Sequence, residues 1–221
     1  MKINALITGT TGMVGKGVLI ECLDHPEVES VVVINRKALG LSHPKLTEII
    51  HSDFYDLISI KHQLSDVNAC FFCLGTSSIG KSEDEYNKIT FNLTISFAKT
   101  LIEVNPNMTF NYVSGTGCDS SEKGNTMWAR VKGKTENAIL TMGFKQAYMF
   151  RPGIILPEKG VKSATGWYNA AYVVLRPLFP LLKQMKSITT SVKIGDAMIN
   201  SVISGYKKQH LENVDINILA N

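Results

Sequence analysis

The sequence predicts an α/β protein built on a doubly wound parallel sheet with a small C-terminal cap. Short apolar, β-rich runs alternate with stretches of helical spacing through the first two-thirds of the chain. At the first changeover, Gly9, Gly12 and Gly15 fall at three-residue intervals. Beyond Pro152 the alternation loosens, broken by Gly153, Pro157, Gly160 and Gly166. Strands covered on both faces read as continuous apolar runs, and parallel strands need helical crossovers between them.

Taken in order, residues 3–8 form a β-rich run, 12–23 carry apolar residues at helical spacing, and 30–34 are β-branched and apolar, giving strand, helix, strand. Further strands are expected over 46–50, 69–74, 108–114 and 146–150, and helices over 56–64, 83–103 and 127–142. Two more helices are expected near 166–186 and 194–206. Residues 1–160 are therefore expected to form a nucleotide-binding α/β unit, with 161–221 as a cap that completes the same domain over the open sheet edge, where ligands bind.

The chain has 221 residues, 44% of them apolar, with 23 basic and 19 acidic side chains interspersed. That length buries a sizeable core, and a net charge of +4 is too small to argue for a nucleic-acid partner. Four cysteines with no disulfide-dense segment read as reduced thiols, so a cytoplasmic compartment is expected. The first residues lack the longer apolar stretch and cleavage site of a secretory signal. The most apolar segment, 167–182, is shorter than the roughly 20 residues that span a bilayer and is interrupted by Asn169, Arg176, Pro177 and Pro180. Its excess of apolar side chains suggests a homodimer or membrane-surface contact.

The segment 6–18, LITGTTGMVGKGV, has the makings of a phosphate cradle. Glycines allow a tight turn and a close backbone approach to a pyrophosphate, while the following helix offers unpaired N–H groups to the anion. Set between a strand and a helix at the start of a strand-helix-strand unit, the triplet points to dinucleotide binding and a Rossmann fold. Such folds usually carry an acidic residue about 20 residues later, on the adenosine ribose. Here Asn35, Arg36 and Lys37 end the second strand instead. A guanidinium binds phosphate in bidentate fashion, so Arg36 and Lys37 favour NADP(H), with NAD(H) the alternative; a solvated basic loop would look the same.

The ordered set TGTTGMVG, NRK, SDFYD, CLGT, YVSG, WARVKGKTE and FRPGIILP resembles short-chain dehydrogenase/reductase-like proteins. More specifically, it is similar to the atypical, compact group related to nucleoside-diphosphate-sugar epimerases that includes the human Tat-interacting tumour suppressor. The resemblance covers residues 1–160. It implies that Gly9, Thr11, Gly12, Met13 and Val14, with Gly15 behind them, line the pyrophosphate, and that Arg36 and Lys37 lie at the adenosine end. It further implies Asp53 and Phe54 at the adenine, Leu74, Gly75 and Thr76 on the adenosine ribose side, and Pro152, Gly153 and Ile155 near the nicotinamide carboxamide. From the residues alone, Asp53 reads equally as a helix cap and 74–76 as a strand-ending turn.

The family resembled carries a Ser on the fifth strand and a Tyr-x-x-x-Lys pair on the next helix. Residues four apart share a helix face, so the ammonium lowers the phenol pKa and lets it exchange a proton. Here Ser114 and Lys132 match, but the tyrosine position is Trp128. An indole N–H donates a hydrogen bond yet has no accessible acid–base equilibrium. Either another group (Lys132, a water, a nearby Tyr) supplies the proton, or the chain binds cofactor without chemistry, or Trp128 packs as plain core. Lys132 could in any case hold the nicotinamide ribose.

Other constellations are weak. Cys70 and Cys73 have no second pair and no His at ligand spacing, so no metal site is expected. The five histidines, His25, His43, His51, His62 and His210, are scattered and read as surface or capping residues. Lys123, Arg130, Lys132 and Lys134 read as phosphate-holding or simply solvated. The expectation is an NADP(H)-dependent oxidoreductase or epimerase-like enzyme acting on an unidentified small molecule, with an NADP(H)-binding regulatory or scaffold protein as alternative. Sugar nucleotides would call for a larger C-terminal segment than 161–221.

Overall fold

The structure, a computed structural model, describes residues 2–161, 179–182 and 185–221. Its main sheet is assembled from β1 (Ile3–Thr8), β2 (Val28–Asn35), β3 (Leu46–Ile50), β4 (Ala69–Phe72), β5 (Thr109–Val113), β6 (Gln146–Arg151) and β9 (His210–Glu212). All seven are parallel, in the order β3-β2-β1-β4-β5-β6-β9. The order reverses between β1 and β4, and at such a switch point ligands bind outside the carboxyl ends of the strands.

Alternation within the strands divides the core into two layers. Ile3, Ala5, Ile7, Val31, Val33, Phe71 and Phe150 face α1 (Met13–Asp24), α6 (Ser191–Ile203) and α7 (Asn213–Leu219). Leu6, Ile34, Cys70, Phe72, Phe110 and Met149 face the 3₁₀ segment Ile58–Leu64 and the helices α3 (Leu93–Val104) and α4 (Met127–Leu140). Phe72 lies at the centre of this second layer, edge-on to Phe97 with ring centroids 5.2 Å apart. A doubly wound parallel sheet was expected, and its six predicted strands are present.

Several boundaries differ from expectation for local reasons. The stretch expected as helix over 56–64 is a 3₁₀ segment, entered through Asp56, whose Oδ1 accepts from the Ile58 N–H at 2.8 Å. The long helix expected over 83–103 is split into α2 (Glu83–Asn87), a π turn (Lys88–Asn92) and α3. Ser82 and Glu85 form a capping box that fixes where α2 starts.

The C-terminal part was legible least. A two-stranded parallel ribbon, β7 (Ile154–Leu156) with β8 (Ile188–Thr190), and the edge strand β9 were not expected. Each has only three residues, too few for a periodic signal. Asn213 ties ribbon to helix: its Oδ1 accepts from the Gly153 N–H at 3.1 Å, and its Nδ2 donates to the Ser187 and Ile154 carbonyls. The apolar stretch expected to form an interface, 167–182, lies outside the described residues apart from the short α5 (Phe179–Leu182). Among the described residues no helix is long and apolar enough to cross a membrane.

Candidate functional site

Gly9 ends β1 with φ +70°, and a side chain there would begin 2.6 Å from the Cys73 carbonyl oxygen. At Gly15 a Cβ would lie 2.3 Å from the Gly9 carbonyl oxygen. Only glycine permits both the left-handed turn and the seating of α1 against it. Gly12 caps α1 without a side chain, so the first-turn N–H groups, which no helix satisfies internally, have no side-chain acceptor there. This is the cradle for an anion that a larger residue would fill.

Three cavities follow one another along the carboxyl edge of the sheet. The first, about 570 Å³, is lined by Arg36, Asp53, Phe54, Tyr55, Leu74, Gly75, Thr76, Ile89 and Leu93 among others. The π turn presents Ile89 to it, an instance of such turns occurring at ligand sites. The second, about 440 Å³, is lined by Gly9, Thr11, Ile34, Asn35, Arg36, Lys37, Phe54 and Leu74. The third, about 300 Å³, brings together Gly12, Met13, Val14, Gly15, Cys73, Gly75, Thr76, Ser114 and Lys132. Shared residues, Arg36, Phe54, Leu74, Gly75 and Thr76, join them into one groove.

All of the expected residues up to Thr76, together with Ser114 and Lys132, line this groove. Pro152, Gly153 and Ile155 line none of the three cavities, and Trp128 does not either. Asp53 serves a local purpose as well, its Oδ1 accepting from the Tyr55 N–H at 2.9 Å. Leu74 is anchored by donating its N–H to Thr8 Oγ1 at 3.2 Å. Arg36 and Lys37 are exposed at the rim. The nearby carboxylate of Glu48 is taken up by Asn35 Nδ2 at 2.9 Å and the Leu39 N–H at 3.0 Å. Of the basic group near α4, Lys132 alone lines the groove; Arg130 pairs with Glu83 and Lys134 sits 4.3 Å over the Phe91 ring.

The Ser114–Lys132 corner has a feature the sequence reading missed. Ser114 is buried, and its Oγ is hydrogen-bonded to Glu136 Oε1 and lies 3.1 Å from the Phe150 carbonyl. Both partners are acceptors, so the single hydroxyl proton is held inside the protein. Glu136 is fully buried and clasped by Arg151, whose Nε lies 3.0 and 3.2 Å from its two oxygens. Lys132 donates to the Ser114 carbonyl, and burial pushes its ammonium below the usual lysine range. Cys118, beside this group, has its thiol pushed up to about 11 by burial, so it stays protonated. The one available signal was spacing, since Glu136 follows Lys132 by four residues on α4 and shares its face.

His210 corrects the expectation that the histidines are surface or capping groups. His25 and His43 do serve turns, each accepting a backbone N–H two residues on. His210, placed by the pairing of β9 with β6, instead has its Nε2 buried 3.7 Å from Glu136 Oε2 and without a hydrogen-bond partner among the described residues. Among those residues no cluster suited to a metal is found.

No family model matches the chain. Among solved structures it is similar to the Bordetella bronchiseptica enzyme WbmG in complex with NAD and UDP, at TM-score 0.68 and 13% identity, over 99% of this chain and 78% of that one. It is also similar to WbmH of the same organism in complex with NAD+ (TM-score 0.67, 16% identity, 96% and 75%). The UDP-glucose 4-epimerase of Thermotoga maritima follows at 0.62 and 12%, over 90% and 73%. The chain shares the Rossmann-like fold of these enzymes, a parallel sheet flanked by helices. At these identities the likeness to these neighbours concerns the fold.

Curated relatives are similar at the level of sequence. Protein fmp52, mitochondrial, of Emericella nidulans is 28% identical over 163 residues, 71% of this chain and 68% of the relative. Protein fmp52-1, mitochondrial, of Aspergillus terreus is 30% identical over 155 residues, 67% and 65%. Their names overturn the cytoplasmic expectation for this chain. The physical reason is that reduced cysteines report a reducing environment and not one compartment.

Proposed function

We propose that the chain is an NADP(H)-binding oxidoreductase or epimerase-like enzyme of small-molecule substrates, with Trp128 in the position of the usual tyrosine. The observation that carries the reading is the continuous groove at the β1/β4 switch point, running from the Arg36–Lys37 rim past the α1 cradle to Ser114 and Lys132. Gly12, Met13, Val14 and Gly15 would hold the pyrophosphate at the start of α1, and Asp53, Phe54 and Ile89 would enclose the adenine. Arg36 and Lys37 would meet a 2′-phosphate. When bound, the nicotinamide supplies hydride transfer. Lys132 orients the ribose end, while Trp128 orients an oxygen at most. Pro152, Gly153 and Ile155 retain their proposed place near the carboxamide.

A charge-assisted phosphate contact contributes on the order of 1.5–3 kcal/mol. NADPH should therefore bind at least about tenfold more tightly than NADH, and Arg36→Asp should erase or reverse the difference. Titration calorimetry with both cofactors on both proteins tests this, and equal dissociation constants for the wild type would reject the NADP(H) assignment. A second reading, a cofactor-binding regulatory or scaffold protein without turnover, is favoured by one observation: neither Trp128 nor Ser114, whose proton faces two acceptors, offers a free acid.

A further inference from the structure

We propose that Ser114, Glu136 and His210 form a proton path from the groove to solvent, taking the place of the phenol that Trp128 lacks. One end of the path is Ser114, which lines the third cavity beside Lys132. Its hydroxyl is already hydrogen-bonded to Glu136 Oε1. The other end is His210 on the edge strand β9, with a side chain 35% exposed and a buried Nε2 facing Glu136 Oε2. A buried imidazole nitrogen without a partner costs free energy, and a structure that keeps one calls for an explanation. Standing 3.7 Å from a carboxylate, it becomes a hydrogen bond on closing by roughly half an ångström, and contacts of this kind are often long before ligand binds.

The atoms balance in the direction of alcohol oxidation. The substrate O–H proton passes to a lone pair of Ser114 Oγ as the Ser114 hydroxyl proton moves to Glu136 Oε1, and the hydride leaves for the oxidised nicotinamide of the reading above. A half-turn of the carboxyl group exchanges its oxygens and brings the proton to His210 Nε2, and the imidazole then releases its Nδ1 proton to water on its partly exposed side. Arg151 Nε is nearly equidistant from the two oxygens and Arg151 Nη2 donates to Oε2, so the neutral carboxyl stays hydrogen-bonded to Arg151 through the half-turn. Reduction runs the same path backwards. Glu136 and His210 act through Ser114 and touch no substrate. The groups facing His210 are Arg151 on β6, Glu136 on α4 and Glu212 on β9; burial and the Arg151 charge hold the imidazole below its ordinary value, so it is neutral and able to accept near pH 7.

The inference rests on the oxidoreductase reading for what enters the path, whereas the path can be tested without cofactor. The Ser114 hydroxyl proton, hydrogen-bonded to a buried carboxylate, can be followed by NMR for exchange with water. In His210→Gln, at a partly exposed edge position, exchange should slow at least tenfold, and added imidazole should restore it in His210→Ala. In Glu136→Gln the His210 titration midpoint should fall below its wild-type value, because the carboxylate charge that favours imidazolium is gone. Unchanged exchange in His210→Gln overturns the path, as does an unchanged midpoint; should Glu136→Gln fail to fold, the exchange measurement decides alone. Failure to bind NADPH, measured separately, would sink the functional reading and leave both results standing.

Discussion

Trp128 departs from the pattern its surroundings otherwise keep, and it sits one turn before Lys132 on α4. Positioned general acid catalysis contributes roughly 10²–10⁴-fold. The Ser114–Glu136–His210 path offers only a longer relay in place of a phenol set directly on the substrate, so wild-type protein should bind NADPH yet oxidise it slowly against a carbonyl panel. Trp128→Tyr should raise the rate, and adding Lys132→Ala should abolish the gain because the phenol is no longer activated. Wild-type turnover that is fast and survives both Ser114→Ala and Lys132→Ala would show that chemistry lies elsewhere. His210 carries a separate prediction in the absence of any ligand. Its folded value lies below the unfolded 6.5, so the unfolded chain binds the proton more readily. The stability His210 contributes is fully present above pH 6.5 and is lost as pH falls through the lower folded value. Thermal midpoints of His210→Gln should decline less than those of wild type across that window, and parallel curves would contradict the shift.

Packing between elements rests on close approaches that glycine permits. On α6, a Cβ at Gly195 would begin 2.6 Å from Glu21 Cγ, and at Gly17 on α1 one would lie 2.8 Å from Ser191 Cβ. The two helices thus meet almost backbone to backbone. Overpacking of this sort costs about 1–3 kcal/mol, so Gly195→Val should lower the urea midpoint measurably while leaving cofactor binding in place. Gly15→Ala, directed at the Gly9 carbonyl, should damage both stability and NADPH affinity. Legibility in the sequence tracks the same distinction. The first strand, helix and glycine turn were readable because their residues repeat a local pattern. The Glu136–Arg151–His210 cluster was not, because it joins α4, β6 and β9, and only tertiary pairing brings residues 136, 151 and 210 together.

At the scale of the molecule, six parallel strands and the position of the groove followed from alternation and from the switch-point rule. What did not follow was how much the C-terminal residues contribute: α6 and α7 cover one face of the sheet, and β9 extends it beyond β6. Ending the chain after Ile203 would remove β9 and α7 and bare Phe150 and its neighbours on that face. Such a protein should lose its near-ultraviolet circular dichroism and cooperative melting, whereas retention of both would show that the remaining elements suffice. The contact of α1 with α6 also has a consequence in time. At synthesis rates of about 5–20 residues per second, the apolar side of α1 waits on the order of ten seconds for its partner helix to be made. During that interval the nascent chain displays Val18, Leu19 and Cys22 to the cell, and it should be a client of chaperones that hold apolar segments as they emerge from the ribosome.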